Sequence, residues 1–322
     1  MRKIYDVFRF ALKCLLFPAA AILIIYCLNK PYQRINMEKY WDISKFWYLG
    51  EDGYTQIKVG NLGSSHGAYD FNYEPLTERG YECFNFANTS QSYDYDFAVL
   101  KEYVQYMDAD SIMLIPVSYF SFNNEVVNET EAEAMSLRYY HFLSPENIPN
   151  YDLYIDITTN RLPILSAGED MLKLLPDFKL SIIALAAEND EIDMEEFTRW
   201  AQERYSRHFE NKEEYFLPER IQNLYDIIDY CKTHDITPIL IIPPFSGCYQ
   251  DLVPDTFLQE FQETVSAIAS DTGVEYYDYS DDDRFRDNLS YFMDADHLGE
   301  EGAKYFMEIL LTEIPKMHQL VE

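Results

Sequence analysis

Nothing in this sequence pairs its cysteines. There are only five, none in a CxxC, and two of them, Cys14 and Cys27, fall in an apolar N-terminal run. Cys83, Cys231 and Cys248 remain, an odd number at irregular spacing, so neither a disulfide framework nor a zinc site is indicated. Cys83 lies inside an apolar strand-like run and reads as a small buried hydrophobe. Basic charge is scarce as well, with 25 Lys and Arg against 56 Asp and Glu, a net charge of -31. Residues 1–37 hold Arg2, Lys3, Arg9, Lys13, Lys30 and Arg34 against Asp6, a balance of +5 that leaves -36 on the rest. So acidic a body repels nucleic acid and anionic headgroups, and no basic stripe offsets it. Internal repeats and low-complexity tracts are absent too. What is abundant is apolar residue, 48% of the chain with 16% aromatic, which excludes a disordered protein. The 28 tyrosines read as an aromatic-heavy core and rim.

The N-terminus carries the longest apolar run. Cys14 to Leu28 has no charge, and residues 9–28 supply the roughly 20 residues a span needs if Lys13 snorkels. Arg2, Lys3, Arg9 and Lys13 precede the run, which places the N-terminus in the cytoplasm and the body outside. A cleaved signal peptide is the rival. No small-x-small site with a polar start follows Leu28, so residues 1–28 are expected to be an uncleaved single-pass anchor in the cell membrane. Residues 29–54, rich in aromatics (Tyr40, Trp41, Phe46, Trp47, Tyr48), read as a connector.

From residue 55 to 322 short apolar runs alternate with helical patterns. The strands are expected at 57–62, 81–86, 111–117, 239–242 and 274–277. The 111–117 run, SIMLIPV, is continuously apolar, as for a strand covered on both faces. Helices are expected at 94–107, 218–234, 257–269 and 301–314, where apolar residues recur at three and four. Such alternation predicts a three-layer α/β/α sandwich with a mostly parallel five-stranded sheet, flavodoxin-like in architecture. Residues 121–217 interrupt it with acidic helical segments and one apolar stretch, Leu180 to Ala187, and are expected to form a helical insertion.

Function in an open parallel sheet gathers beyond the C-terminal ends of the strands. After the first strand comes Gly63-Ser64-Ser65-His66-Gly67, a tight turn able to present a hydroxyl. After the last comes Asp294-Ala295-Asp296-His297-Leu298. A serine needs a base within reach, and a carboxylate three residues before a histidine can hold its other ring nitrogen. By that spacing Asp294 is the orienting carboxylate, and Asp296 is expected to face solvent or cap the following helix. His66 is expected to point outward from the turn. Arg138-Tyr139-Tyr140-His141 could line a groove, but packing is the commoner role of such residues. The spacing of His66, His141 and His297 does not favour a metal site, and no cofactor is expected.

These blocks resemble the SGNH (GDSL-type) hydrolase family. Its Gly-Asp-Ser block matches Gly63-Ser64-Ser65, and its Asp-x-x-His block matches Asp294 to His297. The resemblance implies Ser65 as nucleophile, with His297 and Asp294 completing a triad. The second block is followed loosely by Asn85 to Ser92, with Ser90 at the glycine whose N–H, together with that of Ser65, forms an oxyanion hole. The third block, Gly-x-Asn-Asp, is replaced by Val117-Ser118-Tyr119-Phe120, which removes the expected side-chain amide. Substrate contacts are then expected at His66, Asn88, Ser118 and Tyr119. Closer still is a similarity to the extracytoplasmic teichoic-acid D-alanylation protein DltD and its relatives. They share the anchor, the Gly-Ser-Ser block, a strand ending like Pro243 to Tyr249, and Asp294 through Gly302. The resemblance implies a membrane-anchored extracytoplasmic serine esterase or O-acyltransferase. Its substrates would be acyl esters of cell-surface polymers, teichoic acid or polysaccharide, and its partner a membrane-bound O-acyltransferase. The missing third block keeps open a non-catalytic tethered module that binds polymer or such a partner.

Overall fold

A computed structural model describes residues 2–37, 43–49, 53, 56–123, 136–168, 194–210 and 214–321. The expected Leu180 to Ala187 stretch, and Tyr40 and Trp41, lie outside the described residues. The first helix, α1, runs Arg2–Met37, past the expected end at Leu28 and through Pro18 and Pro31. Within it Leu12–Arg34 is a 23-residue stretch apolar and long enough to cross a membrane. At 1.5 Å per residue that is about 34 Å, against a hydrocarbon core of about 30 Å.

Five strands form one sheet in the order β2-β1-β3-β4-β5: β1 Ile57–Asn61, β2 Cys83–Asn85, β3 Met107–Pro116, β4 Thr237–Ile242 and β5 Glu275–Asp278. Every neighbouring pair is parallel. Side chains alternate across the sheet, so each apolar run feeds two cores. Met113, Ile115, Leu240 and Ile242 pack with Val99, Leu224, Ile228, Phe261 and Val265. Those last residues belong to α2 (Tyr93–Tyr103), α4 (Pro218–Thr233) and α5 (Asp255–Thr272). Ile112, Leu114, Ile239 and Ile241 meet Phe306, Met307 and Leu310 of α6 (Glu300–Glu313) on the opposite face. The fold is therefore the three-layer α/β/α sandwich. β3 starts four residues before the expected run, because its polar head, Met107 to Asp110, still pairs with β1 near Ile57.

The helical insertion supplies no strand among the described residues. Its longest described helix, α3 (Met194–Phe209), turns Phe197, Ala201, His208 and Phe209 inward. Arg138, Tyr139 and Tyr140 are buried, which is the packing role.

Candidate active site

The order 2-1-3-4-5 reverses direction between β1 and β3, so the loops that follow them border the crevice of the sheet. Just past β1 the chain turns at Gly63, whose φ of +117° lies where a side chain is strained and where a Cβ would sit 2.9 Å from Pro116. Gly67 is tighter, since a Cβ there would meet the Leu62 carbonyl at 2.4 Å. Only glycine lets this turn close. It delivers Ser65 as the first residue of a short helix, Ser65–Tyr69.

The loop after β5 and its small helix brings the partner groups. Asp70, directly after the serine helix, accepts the Leu298 N–H at 2.8 Å and so fastens the histidine loop to the serine turn across 228 residues of sequence. Held this way, His297 Nε2 lies 2.7 Å from Ser65 Oγ. Its Nδ1 lies 2.9 and 3.0 Å from the two Asp294 oxygens. Asp294 Oδ1 also accepts the backbone N–H groups of Asp296 and His297, at 3.1 and 3.0 Å, which fixes the carboxylate in place. Ser65, His297 and Asp294 thus stand in one hydrogen-bonded chain.

A second carboxylate, Asp296, lies alongside, contrary to its expected place at the surface. Asp296 does not face solvent; it is fully buried. Its Oδ1 lies 3.3 Å from His297 Nδ1 and its Oδ2 lies 3.6 Å from His66 Nε2. Neither oxygen accepts an aligned hydrogen bond among the described residues, so its charge is met by Coulombic neighbours. Arg204, from α3 in the insertion, is one of them. Its Nε lies 3.0 Å from Asp296 Oδ1, and its Nη2 donates to Asp294 Oδ2 at 2.8 Å. Sequence gave no signal for Arg204, because an exposed-looking Arg on an acidic helix is unremarkable.

These neighbours set the charges. Burial opposes the His297 imidazolium, but Asp296 and then Asp294 outweigh it and push the group up to about 9. Burial also opposes the Asp296 carboxylate, yet His297 and His66 hold it well below the ordinary range. Asp294 is likewise held down against burial by its hydrogen bond to His297. His66 is lowered by burial, and His208 behind it is lowered by burial to about 3. Asp70 is pushed well above its usual value by burial.

The residues expected to touch substrate are placed differently. His66 points inward, not outward: it is buried, its ring faces Phe120 and Phe245, and its Nδ1 lies 2.5 Å from Ser118 Oγ. Ser118 is buried as that partner, and Tyr119 is buried with its hydroxyl donating to Gln250 Oε1 at 2.9 Å. Both side chains brace the turn from behind, since the apolar layer under the loop leaves them no path to solvent. Asn88 is buried too, its amide donating to Gln91 Oε1 at 2.6 Å. Ser90 has a φ of +55°, the left-handed region in which the family block places glycine.

Beside the turn is a small cavity of about 60 Å³, lined by Gly63, Ser64, Ser90, Asp96, Asn123 and Arg220 among others. The Asn123 side chain is buried, and neither of its amide atoms finds a partner among the described residues. Asp96, pushed up to about 7 by burial, accepts from the Gly63 N–H at 2.7 Å and from Gln91. One set of ligand atoms, from His66, Asp296 and His297, lies within 4.8 Å of one another. With the Arg204 guanidinium already against Asp296, a cation there would meet like charge.

The family model for DltD protein matches residues 190–306. That stretch takes in Arg204, Asp294, Asp296 and His297 and leaves Ser65 outside it. Over that stretch the chain is similar to DltD protein. Among curated proteins no sequence matches it significantly. Solved structures with a similar fold include a Streptococcus pneumonia protein described as a platelet activating factor, at 11% identity and a TM-score of 0.43, covering 91% of this chain and 98% of that one. A Bacteroides fragilis acylhydrolase is 12% identical at a TM-score of 0.41, covering 87% of this chain and 98% of its own. A GDSL-like lipase from Bacteroides thetaiotaomicron is 11% identical at 0.37, with coverage of 84% and 96%.

Proposed function

We propose that this chain is a serine esterase or O-acyltransferase acting on acyl esters of cell-surface polymers, teichoic acid or polysaccharide. In this reading α1 anchors it and the body is extracytoplasmic. The observation that carries the proposal is the Ser65–His297–Asp294 hydrogen-bonded chain at the crevice of the sheet.

In the first half-reaction Ser65 Oγ attacks the acyl carbonyl and its proton passes to His297 Nε2. The resulting imidazolium is stabilised by Asp294 and Asp296, and the tetrahedral oxyanion by the N–H groups of Ser65 and Ser90. The leaving oxygen or sulfur then takes the proton back from His297, and an ester on Ser65 remains. A hydroxyl, giving its proton to His297, attacks that ester, and as the tetrahedral intermediate collapses the bond to Ser65 Oγ breaks and His297 returns the proton to it. Water as the acceptor makes the protein an esterase, and a polymer hydroxyl makes it a transferase.

Tethering supports the second course. A membrane-bound O-acyltransferase that delivers acyl groups at the bilayer would meet an anchored acceptor at an effective concentration on the order of millimolar. The acidic body, at -36 beyond residue 37, fits a domain held beside the membrane surface without spreading over it.

Treatment of the full chain with a fluorophosphonate, followed by mapping of the adduct, tests the proposal. Labelling at Ser65 that is lost in Ser65→Ala is the expected result. An unlabelled wild-type chain, or an adduct on another serine that persists in Ser65→Ala, would overturn it.

A further inference from the structure

The outer end of α1 does not stand free of the body. Asn29 Nδ2 donates to the Arg161 carbonyl at 2.8 Å, and Gln33 Nε2 donates to the Asn160 carbonyl at 2.7 Å. Beside these polar clasps, Tyr32 clusters with Ile164 and Ala167, and Ile25 packs against that cluster. The docked segment is a compact shoulder of three successive turns, Leu153–Asp156, Ile157–Arg161 and Pro163–Ser166.

This shoulder has an unusual surface for so acidic a body. Leu153, Tyr154 and Leu165 are 57%, 75% and 54% exposed. Its charges are few and engaged: Asp152 caps the first turn through the Ile155 N–H, and Asp156 pairs with Arg161. Lys30 and Arg34, exposed on α1 beside it, are the nearest cations of that helix. Apolar and aromatic side chains rimmed by basic ones are what the headgroup boundary of a bilayer accepts.

Depth follows from helix geometry. Within the Leu12–Arg34 stretch the uncharged apolar run closes at Leu28, ahead of the clasped Asn29 and the charged Lys30, so the hydrocarbon ends near Leu28. Ile25 then lies roughly 5 Å inside that boundary and Tyr32 about 6 Å outside it. Ile164, in the cluster that Tyr32 belongs to and Ile25 packs against, is placed close to that boundary.

We infer that the shoulder at 153–166 is a membrane-contacting surface: Leu153, Tyr154 and Leu165 enter the headgroup layer of the leaflet that α1 exits. This rests on α1 being a span. The contact fixes the body's tilt on the membrane, so the catalytic loops hold a set height and do not swing about a flexible stalk. It also explains why a helix exposed along most of its described length is clasped to the body near its outer end.

The test uses the full chain in phosphatidylcholine vesicles containing lipids brominated either near the headgroup or at mid-chain. Tryptophan is introduced singly as Tyr154→Trp or Phe17→Trp, the latter at an 80% exposed position of α1, and wild-type emission is subtracted. The expected result is loss of Phe17→Trp emission with mid-chain bromine and loss of Tyr154→Trp emission with shallow bromine. Quenching at position 17 with none at 154 overturns the shoulder contact and leaves the anchor standing, with a protein partner as the remaining cover for the patch. Absence of quenching at both positions removes the anchor reading itself.

Discussion

Two carboxylates flank one imidazole, and only one of them is needed to orient it. Asp296→Asn therefore separates charge from geometry. The substitution keeps the shape of a buried side chain 3.3 Å from His297 Nδ1 and leaves the Asp294 hydrogen bonds intact. His297 stands at about 9 against an ordinary 6.5, a difference worth roughly 3 kcal/mol in favour of the imidazolium. Burial works against that charge, and Asp296 is the largest group raising it, so its loss moves His297 down from about 9. At pH 7 the neutral fraction, the base of the proposed reaction, is about 1% in the wild type, and each pH unit by which the group falls raises it by up to about tenfold. The same loss weakens stabilisation of the imidazolium formed in the transition state, so the alkaline plateau falls. The kcat/KM profile on a small acetyl ester should show its acid limb moving down by about one pH unit or more, the effect of losing an opposite charge at this distance, while the plateau drops, and the two profiles should cross. Arg204→Gln serves as the opposing control. It removes a cation from both carboxylates, so the limb should move further up. An acid limb that stays near 9 in Asp296→Asn would refute the electrostatic account of this site.

The remaining expectations follow from the same contacts. His297→Ala should abolish ester turnover and Asp294→Asn should reduce it less, and the double variant should lose no more than His297→Ala alone, because members of one triad act as a unit; summed losses in free energy would break the triad. Asp70→Ala should cost about 1–3 kcal/mol by denaturant unfolding, since it orphans the buried Leu298 N–H, and should also lower kcat by loosening the histidine loop. His297 is raised in the folded state, so its contribution to stability is present in full below about 6.5 and is lost as pH climbs through about 9. Tm should fall across that window in the wild type and flatten in His297→Ala, as differential scanning calorimetry would read.

How much of this was legible beforehand depends on how local each cause is. The strands were visible because apolar runs such as Ser111 to Val117 are a property of consecutive residues, and so were the helices over 218–233 and 300–313, marked by a leading Pro218 and by recurring apolar positions. Gly63 and Ser65 showed through the turn chemistry of five adjacent residues, and Asp294 and His297 through a spacing of three. The sequence itself therefore determined the layers, the apolar N-terminal run and the side chains that meet in the Ser65–His297–Asp294 chain. What lay beyond it was everything decided by packing between distant segments. His66 and Asp296 looked like surface residues of polar loops, and they are buried because those two loops close on each other, with Asp70 tying Leu298 in from 228 residues away. Ser118 and Tyr119 looked like a rim and became a floor for the same reason. Arg204 carried no local signal at all. It reaches Asp294 across 90 residues of chain, because the tertiary structure lays the insertion helix beside the last loop, where the buried Asp296 and the half-buried Asp294 require a cation.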